Sequence, residues 1–209
     1  MISELKPRYG AKTRIDVYVD GEYCLTAEKK VVAALGLRVG DAWDEQTFWE
    51  QAAASELDAA LERSYIYLEG AMRSRRQLEE KMIRLGFAEP IRELVMERLE
   101  KLGFADDETF ARQWMQRRLN HNSVRAVSRE LRRKGVDRDM IDSIAQEETD
   151  EASEIEKCAA ILKKYLSTPR PDVQTAKRRA IAACQRRGYS WDQIRQALAS
   201  VGEESEVWE

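Results

Sequence analysis

Histidine occurs once in these 209 residues and cysteine three times. Cys24, Cys158 and Cys184 lie far apart, form no C-x-x-C pair and have only His121 to join them, which excludes a Cys/His zinc module and a disulfide framework. The expected compartment is a reducing cytosol. Four prolines and ten glycines are too few for a collagen-like or low-complexity chain, and an apolar fraction of 43% argues against wholesale disorder. No stretch approaches the roughly 18 uncharged apolar residues that span a bilayer. The start, Met1 to Arg8, has no apolar core behind its charges and does not read as a secretory signal. Catalytic motifs are missing as well: there is no G-x-x-x-x-G-K-[ST] loop, no G-x-G-x-x-G turn, no H-E-x-x-H and no G-x-S-x-G elbow. His121 sits in a polar stretch, Leu119 to Ser123, with no acid or cysteine at a useful spacing, and reads as a solvated surface residue. No enzymatic activity, metal or cofactor is expected. The chain reads as a binder.

What is present is pattern. Arg14-Ile15-Asp16-Val17-Tyr18-Val19 alternates with period two, Asp20-Gly21 follows, and Glu22 to Thr26 resumes strand-favouring types, so a β-hairpin is expected. A two-residue loop sets Val17 opposite Cys24 and Val19 opposite Glu22, and a longer loop is the alternative. Val31 to Leu35 before Gly36 offers a short helix, and Asp44 can cap another that carries Phe48 and Trp49. Residues 1–54 are therefore read as a small β-hairpin-plus-helix module.

From residue 55 the period is helical, and a segment repeats. Ser74 to Phe87, Ser123 to Val136 and Ala176 to Tyr189 align on Gly86, Gly135 and Gly188. Leu78, Val127 and Ala180 stand eight before the glycine, Met82, Leu131 and Cys184 four before, and Arg84, Arg133 and Arg186 two before. Such a glycine ends a helix in the left-handed conformation, and the apolar residue after it closes the turn. Asp137 and Ser190 suit the next helix as N-caps, and Pro90 suits its first turn. Each unit is preceded by another helix, at about 56–69, 107–121 and 152–166. The expected architecture is mainly α: three tandem three-helix repeats at 55–104, 105–149 and 150–202 in an elongated array, then an acidic tail at 203–209. Thr168-Pro169-Arg170-Pro171 marks a loop inside the third repeat. A helical solenoid is the competing architecture. Tyr65, Phe110, Trp114 and Tyr165 are read as core residues, and Trp191 as partly exposed.

Charge placement carries the functional signal. The net charge is −3, yet residues 73–84 carry +3, 123–134 carry +4 and 174–187 carry +5, leaving −15 on everything else. At 100° per residue, Arg125, Arg129, Arg132 and Arg133 share one arc while Val124, Val127 and Leu131 point away. A single basic ridge is ordinary; three at one repeat position suggest a shared role toward a long anionic partner. The candidate partner-binding residues are Arg73, Arg75, Arg76 and Arg84 in the first repeat. In the second they are Arg125, Arg129, Arg132, Arg133 and Lys134, and in the third Lys177, Arg178, Arg179, Arg186 and Arg187.

These residues resemble the RecX family of recombination regulators. Leu102-Gly103-Phe104-Ala105-Asp106-Asp107-Glu108-Thr109-Phe110-Ala111-Arg112, continuing to Arg118 and then Arg129-Glu130-Leu131-Arg132-Arg133-Lys134-Gly135-Val136, is similar to the family's D-D-x-x-F-A…R…E-L-x-x-K-G pattern. Arg73-Ser74-Arg75, Leu78, Lys81 and Gly86-Phe87 fit its first repeat. Arg186-Arg187-Gly188-Tyr189 with Asp192, Ile194 and Leu198 fits its third. Ser123 and Ala126 depart from it, since the family often has Gly and Arg there. The resemblance implies a non-enzymatic, monomeric, cytoplasmic modulator of the RecA recombinase. It would bind the RecA–single-stranded DNA filament and usually inhibit its ATPase, strand exchange and co-protease activities, in homologous recombination, DNA repair and the SOS response. An independent helix-turn-helix DNA binder and a purely protein-binding scaffold are the alternatives.

Overall fold

A computed structural model describes the backbone of residues 1–167 and 173–206 and the side chains of residues 1–167 and 173–202. The chain divides into two compact units, Met1–Asp106 and Asp107–Glu209.

The first unit opens with a three-stranded antiparallel sheet: β1 (Ile2–Pro7), β2 (Arg14–Val19) and β3 (Glu22–Glu28), in that order. The expected hairpin is β2–β3. Its turn has positive φ at both Asp20 (51°) and Gly21 (88°), the conformation that matches the twist of two paired strands. Val19 pairs with Glu22, and a bulge at Cys24 then moves the register so that Val17 faces Leu25. Both of those side chains are buried, so one extra residue, rather than a longer loop, brings the apolar sets to one face. Strand β1 is an addition to the expected hairpin. Its alternation is broken by a bulge between Ile2 and Glu4, which hides the period of a strand that nonetheless buries Ile2.

Two helices follow. α1 (Lys29–Ala34) ends before Gly36, and α2 (Glu45–Glu69) is capped by Asp44, whose carboxylate accepts from the Thr47 amide. The sequence suggested two helices between 44 and 69, but α2 is continuous because no glycine or proline interrupts it. Its first half buries Phe48 and Ala52 against the sheet; its second half buries Ala59, Ala60 and Leu61 against α3 (Arg75–Leu85) and α4 (Glu89–Lys101). Ser74 and Gln77 form a reciprocal capping box at the start of α3, and Gly86 ends it at φ 80°.

Among the described residues the second unit holds six helices: α5 (Asp107–Arg118), α6 (Val124–Arg133), α7 (Arg138–Glu148), α8 (Glu151–Leu166), α9 (Val173–Arg186) and α10 (Trp191–Glu206). Phe110, Met115, Val127, Leu131, Ile141 and Ile144 are buried among α5, α6 and α7. Cys158, Leu162, Ala180, Cys184, Tyr189 and Ile194 form the core of α8, α9 and α10. Gly135 and Gly188 take φ 91° and 90°, and Asp137 caps α7 as expected. Ser190 accepts from the Gln193 amide at 3.2 Å, and Trp191 is half exposed. The acidic end is helical as far as Glu206, because Gly202 does not take a left-handed φ and so does not stop α10. Thr168 to Pro171 and residues 207–209 lie outside the described residues. Among the described residues no helix is long and apolar enough to cross a membrane.

Candidate partner-binding surface

On α6 the predicted ridge is present. Arg125, Arg129, Arg132 and Arg133 are exposed, while Val127 and Leu131 on the opposite face are fully buried. None of the four arginines makes an ion pair among the described residues. The ridge stands on a braced base. Trp114 of α5 donates from Nε1 to Glu130 at 3.1 Å, and Arg118 donates to the same carboxylate at 2.8 Å. Lys134 lies 4.2 Å from the centre of the Trp114 ring, a cation–π contact. Partial burial pushes the Glu130 carboxyl up, but Arg118, Trp114 and the nearby Arg133 outweigh it and hold the group below the usual carboxylate range. Glu130 therefore stays ionised and anchors α6 to α5 while the arginines face solvent.

On α9, Lys177, Arg178, Arg179 and Arg186 are also exposed without ion pairs among the described residues. Three consecutive cations stand about 100° apart on a helix, so they fan over a wide arc rather than forming a narrow ridge. Arg187 differs: it is half-buried and its guanidinium donates to the Ala183 carbonyl at 3.1 Å. Its backbone carbonyl accepts from the Ser123 amide at 2.9 Å, which ties the end of α9 to the start of α6.

That junction is close. A Cβ placed on Gly188 would stand 2.6 Å from the Ala126 Cβ and 2.7 Å from the Ser123 Oγ. The small residues at 123 and 126, where the family pattern often has Gly and Arg, are what permit the approach. Glu154 of α8 accepts from the Val124 amide at 3.2 Å and from Gln193 at 3.4 Å, completing the N-terminal cap of α6. Burial raises the Glu154 carboxyl against these hydrogen bonds.

The first repeat is arranged otherwise. Arg73 is half-buried, with its guanidinium 4.4 Å from the centre of the Tyr67 ring. Arg75 pairs with Glu100, Arg76 pairs with Glu80 at 2.8 Å, and the Arg84 Nε donates to the Glu80 carbonyl at 3.3 Å. The four candidate cations of the first repeat are thus engaged within their own unit.

Sequence reading passed over one buried ionic group altogether. Arg14, 1% exposed, reaches Glu56 at 2.6 Å and Glu28 at 3.4 Å, and donates to the carbonyls of Thr26, Leu85 and Gly86. Its guanidinium also lies 3.9 Å from the centre of the Phe87 ring. This group joins the sheet to the first glycine turn. A signal existed: Glu56 stands in register with Phe48, Ala52 and Ala60 on the apolar face of α2, where an acid needs a partner. Reading cations only on the three repeated helices also omitted Lys12 and Arg63, which the fold places beside Arg73 and Lys81.

Comparison with known proteins agrees with this architecture. Family models match at residues 60–99, 106–143 and 152–198, described as the first, second and third three-helix domains of RecX. A regulatory protein RecX of Clostridium acetobutylicum is 24% identical over 208 residues, covering 98% of this chain and 97% of that protein. Its namesake in Streptomyces coelicolor is 34% identical over 146 residues, covering 66% and 77%. A crystal structure of regulatory protein RecX superposes with a TM-score of 0.63 at 20% identity, covering 95% of this chain and 98% of that one. The RecX of Lactobacillus salivarius gives 0.61 at 18% identity, covering 71% and 98%. With the glycine-turn repeats, the braced α6 and the three domain matches in chain order, this protein belongs to the RecX family of regulatory proteins.

Proposed function

We propose that this chain is a non-enzymatic, cytoplasmic modulator of the RecA recombinase. It would act as a monomer bound along the RecA–single-stranded DNA filament, dampening ATP hydrolysis, strand exchange and co-protease activity. The observation that carries this reading is the set of exposed, unpaired arginines on α6, repeated as the cationic fan on α9. A helical filament offers the same acidic or phosphate surface again and again. Contacts in tandem gain effective concentration without any one of them being strong.

The alternative of an independent helix-turn-helix DNA binder is disfavoured by charge. In that geometry the helix after each glycine turn enters the major groove, where phosphates attract cations. Here α7 carries Asp139, Asp142, Glu147 and Glu148 against Arg138 alone. In this repeat the arginine cluster precedes the turn, on α6.

The deciding experiment is titration of the purified protein into RecA-coated single-stranded DNA while ATP hydrolysis is followed. A fall in rate at amounts stoichiometric with RecA is expected, and no change there overturns the reading. Sequence-selective duplex binding without RecA would instead restore the helix-turn-helix alternative.

A further inference from the structure

A cleft of about 430 Å³ lies between the turn at residues 10–13, the second half of α2 and helix α3. Four cations line it: Lys12 from the turn, Arg63 from α2, Arg73 from the α2–α3 connection and Lys81 from α3. Among the described residues that line the cleft, none is acidic. Arg63 is partly committed, standing 3.7 Å from Glu28 and donating to the Thr13 hydroxyl at 3.2 Å. Lys12 and Lys81 make no ion pair among the described residues. Tyr67 supplies a wall, with Arg73 at 4.4 Å and Lys81 at 5.7 Å from its ring centre.

The Arg73 Nε is enclosed and has no hydrogen-bond partner. A buried donor left unsatisfied is costly, and a guanidinium more so than an amide. A ring quadrupole compensates only part of a cation's lost hydration. Four cations lining one cleft, with no carboxylate among its lining residues, describe a site suited to an anion with several acceptor oxygens.

We infer that this cleft binds a phosphate group, held by Lys12, Arg73 and Lys81. A phosphate can accept from donors approaching in several directions, which suits a mixed set of ammonium and guanidinium donors. The phosphate is supplied either by the backbone of single-stranded DNA or by a small free phosphate. The site lies outside α6 and α9 and gives residues 1–54 a part in binding through Lys12. It goes beyond the proposed filament reading and needs no RecA to be observed.

Calorimetric titration of the full chain at low salt tests it, using sodium pyrophosphate and an oligo-deoxythymidine separately and then in competition. Lys12→Glu and Lys81→Glu are each expected to weaken anion binding about tenfold, as for loss of a charge-assisted hydrogen bond. Arg195→Glu, on α10, should leave pyrophosphate binding unchanged. Pyrophosphate binding that the oligonucleotide displaces, or oligonucleotide binding alone that both variants weaken, assigns the site to the DNA backbone. Pyrophosphate binding that the oligonucleotide does not displace assigns it to a free phosphate. Failure of both anions to bind, or equal affinities in wild type and Lys12→Glu, overturns the inference. Should Lys81→Glu lower the unfolding midpoint, Lys12→Glu decides alone, since Lys12 is an exposed turn residue. A negative result leaves the filament reading standing, because that is scored by RecA's ATP hydrolysis.

Discussion

Helices α3 and α6 occupy equivalent places in their repeats and share the same arginine-rich pattern, yet their charges meet different fates. On α3, Glu80 and Glu100 answer Arg76 and Arg75, and just before it Tyr67 takes Arg73. On α6 the single acid, Glu130, points inward to Trp114 and Arg118 of α5, leaving four arginines to solvent. The difference is one of acid placement rather than cation number. A carboxylate one turn away on the outer face neutralises a ridge, whereas one turned toward the neighbouring helix supports it. Cationic repeats in one chain are therefore not equivalent binding units: α6 offers an anionic partner four uncommitted arginines, whereas the arginines of α3 are engaged.

The comparison can be broken most directly by charge reversal. Arg129→Glu with Arg132→Glu and Arg133→Glu should weaken binding to RecA-coated single-stranded DNA roughly hundredfold, at about 1 kcal/mol per charge. The matched reversal of Arg75, Arg76 and Arg84 should cost about threefold, because surface pairs of this kind contribute little. Fluorescence anisotropy on labelled filaments, with circular dichroism to verify helicity, reads both. Equal losses would erase the distinction between the two helices.

Next in size is the platform beneath α6. Gly188→Val places a β-branched side chain at φ 90° and drives it into Ala126 and Ser123. Backbone strain alone should lower stability by about 2 kcal/mol in chemical denaturation. An unchanged midpoint would mean that the α9 turn does not hold the start of α6.

A smaller gain would sharpen the contrast. Glu80→Ala with Glu100→Ala releases Arg76 and Arg75 and should raise filament affinity about threefold, with a steeper dependence on salt. No gain would show that α3 faces away from the partner.

The smallest effect is in pH. Glu130 is held below the usual carboxylate range, so its contribution to stability is present above its unfolded pKa and is lost as pH falls through its folded one. Glu154 is raised by burial, so folding favours its protonated form, and stability falls as pH climbs from the ordinary carboxylate range to its higher folded value. Denaturation midpoints between pH 3 and 7 should accordingly lose their rising component in Glu130→Gln and their falling component in Glu154→Gln. Identical profiles for the two variants would contradict the opposite environments assigned to these carboxylates.

Much of this was open to sequence reasoning because it depends on local chemistry. The Asp20-Gly21 turn, the left-handed glycines at 86, 135 and 188, and the caps at Asp44 and Asp137 each follow from what one or two residues can do. The exposure of Arg125, Arg129, Arg132 and Arg133 follows from helical period, since Val127 and Leu131 must go inward. Strand β1 was missed because its bulge interrupts the alternation that marks a strand. The continuity of α2 was missed because its apolar residues serve two cores in succession, the sheet through Phe48 and the helices through Ala59. Neither the Arg14–Glu56 pair nor the convergence of Lys12 and Lys81 could be read from spacing. Their partners are 42 and 69 residues apart.

By itself, then, the sequence determined where helices begin and end, which face of each is apolar, and that positive charge recurs before each glycine turn. Those properties arise from backbone conformation and from a period of 3.6, and both act over a few residues. Only the tertiary structure decided which cations are free. An arginine's availability depends on whether a carboxylate or an aromatic ring from a distant segment has reached it first, and packing alone fixes that.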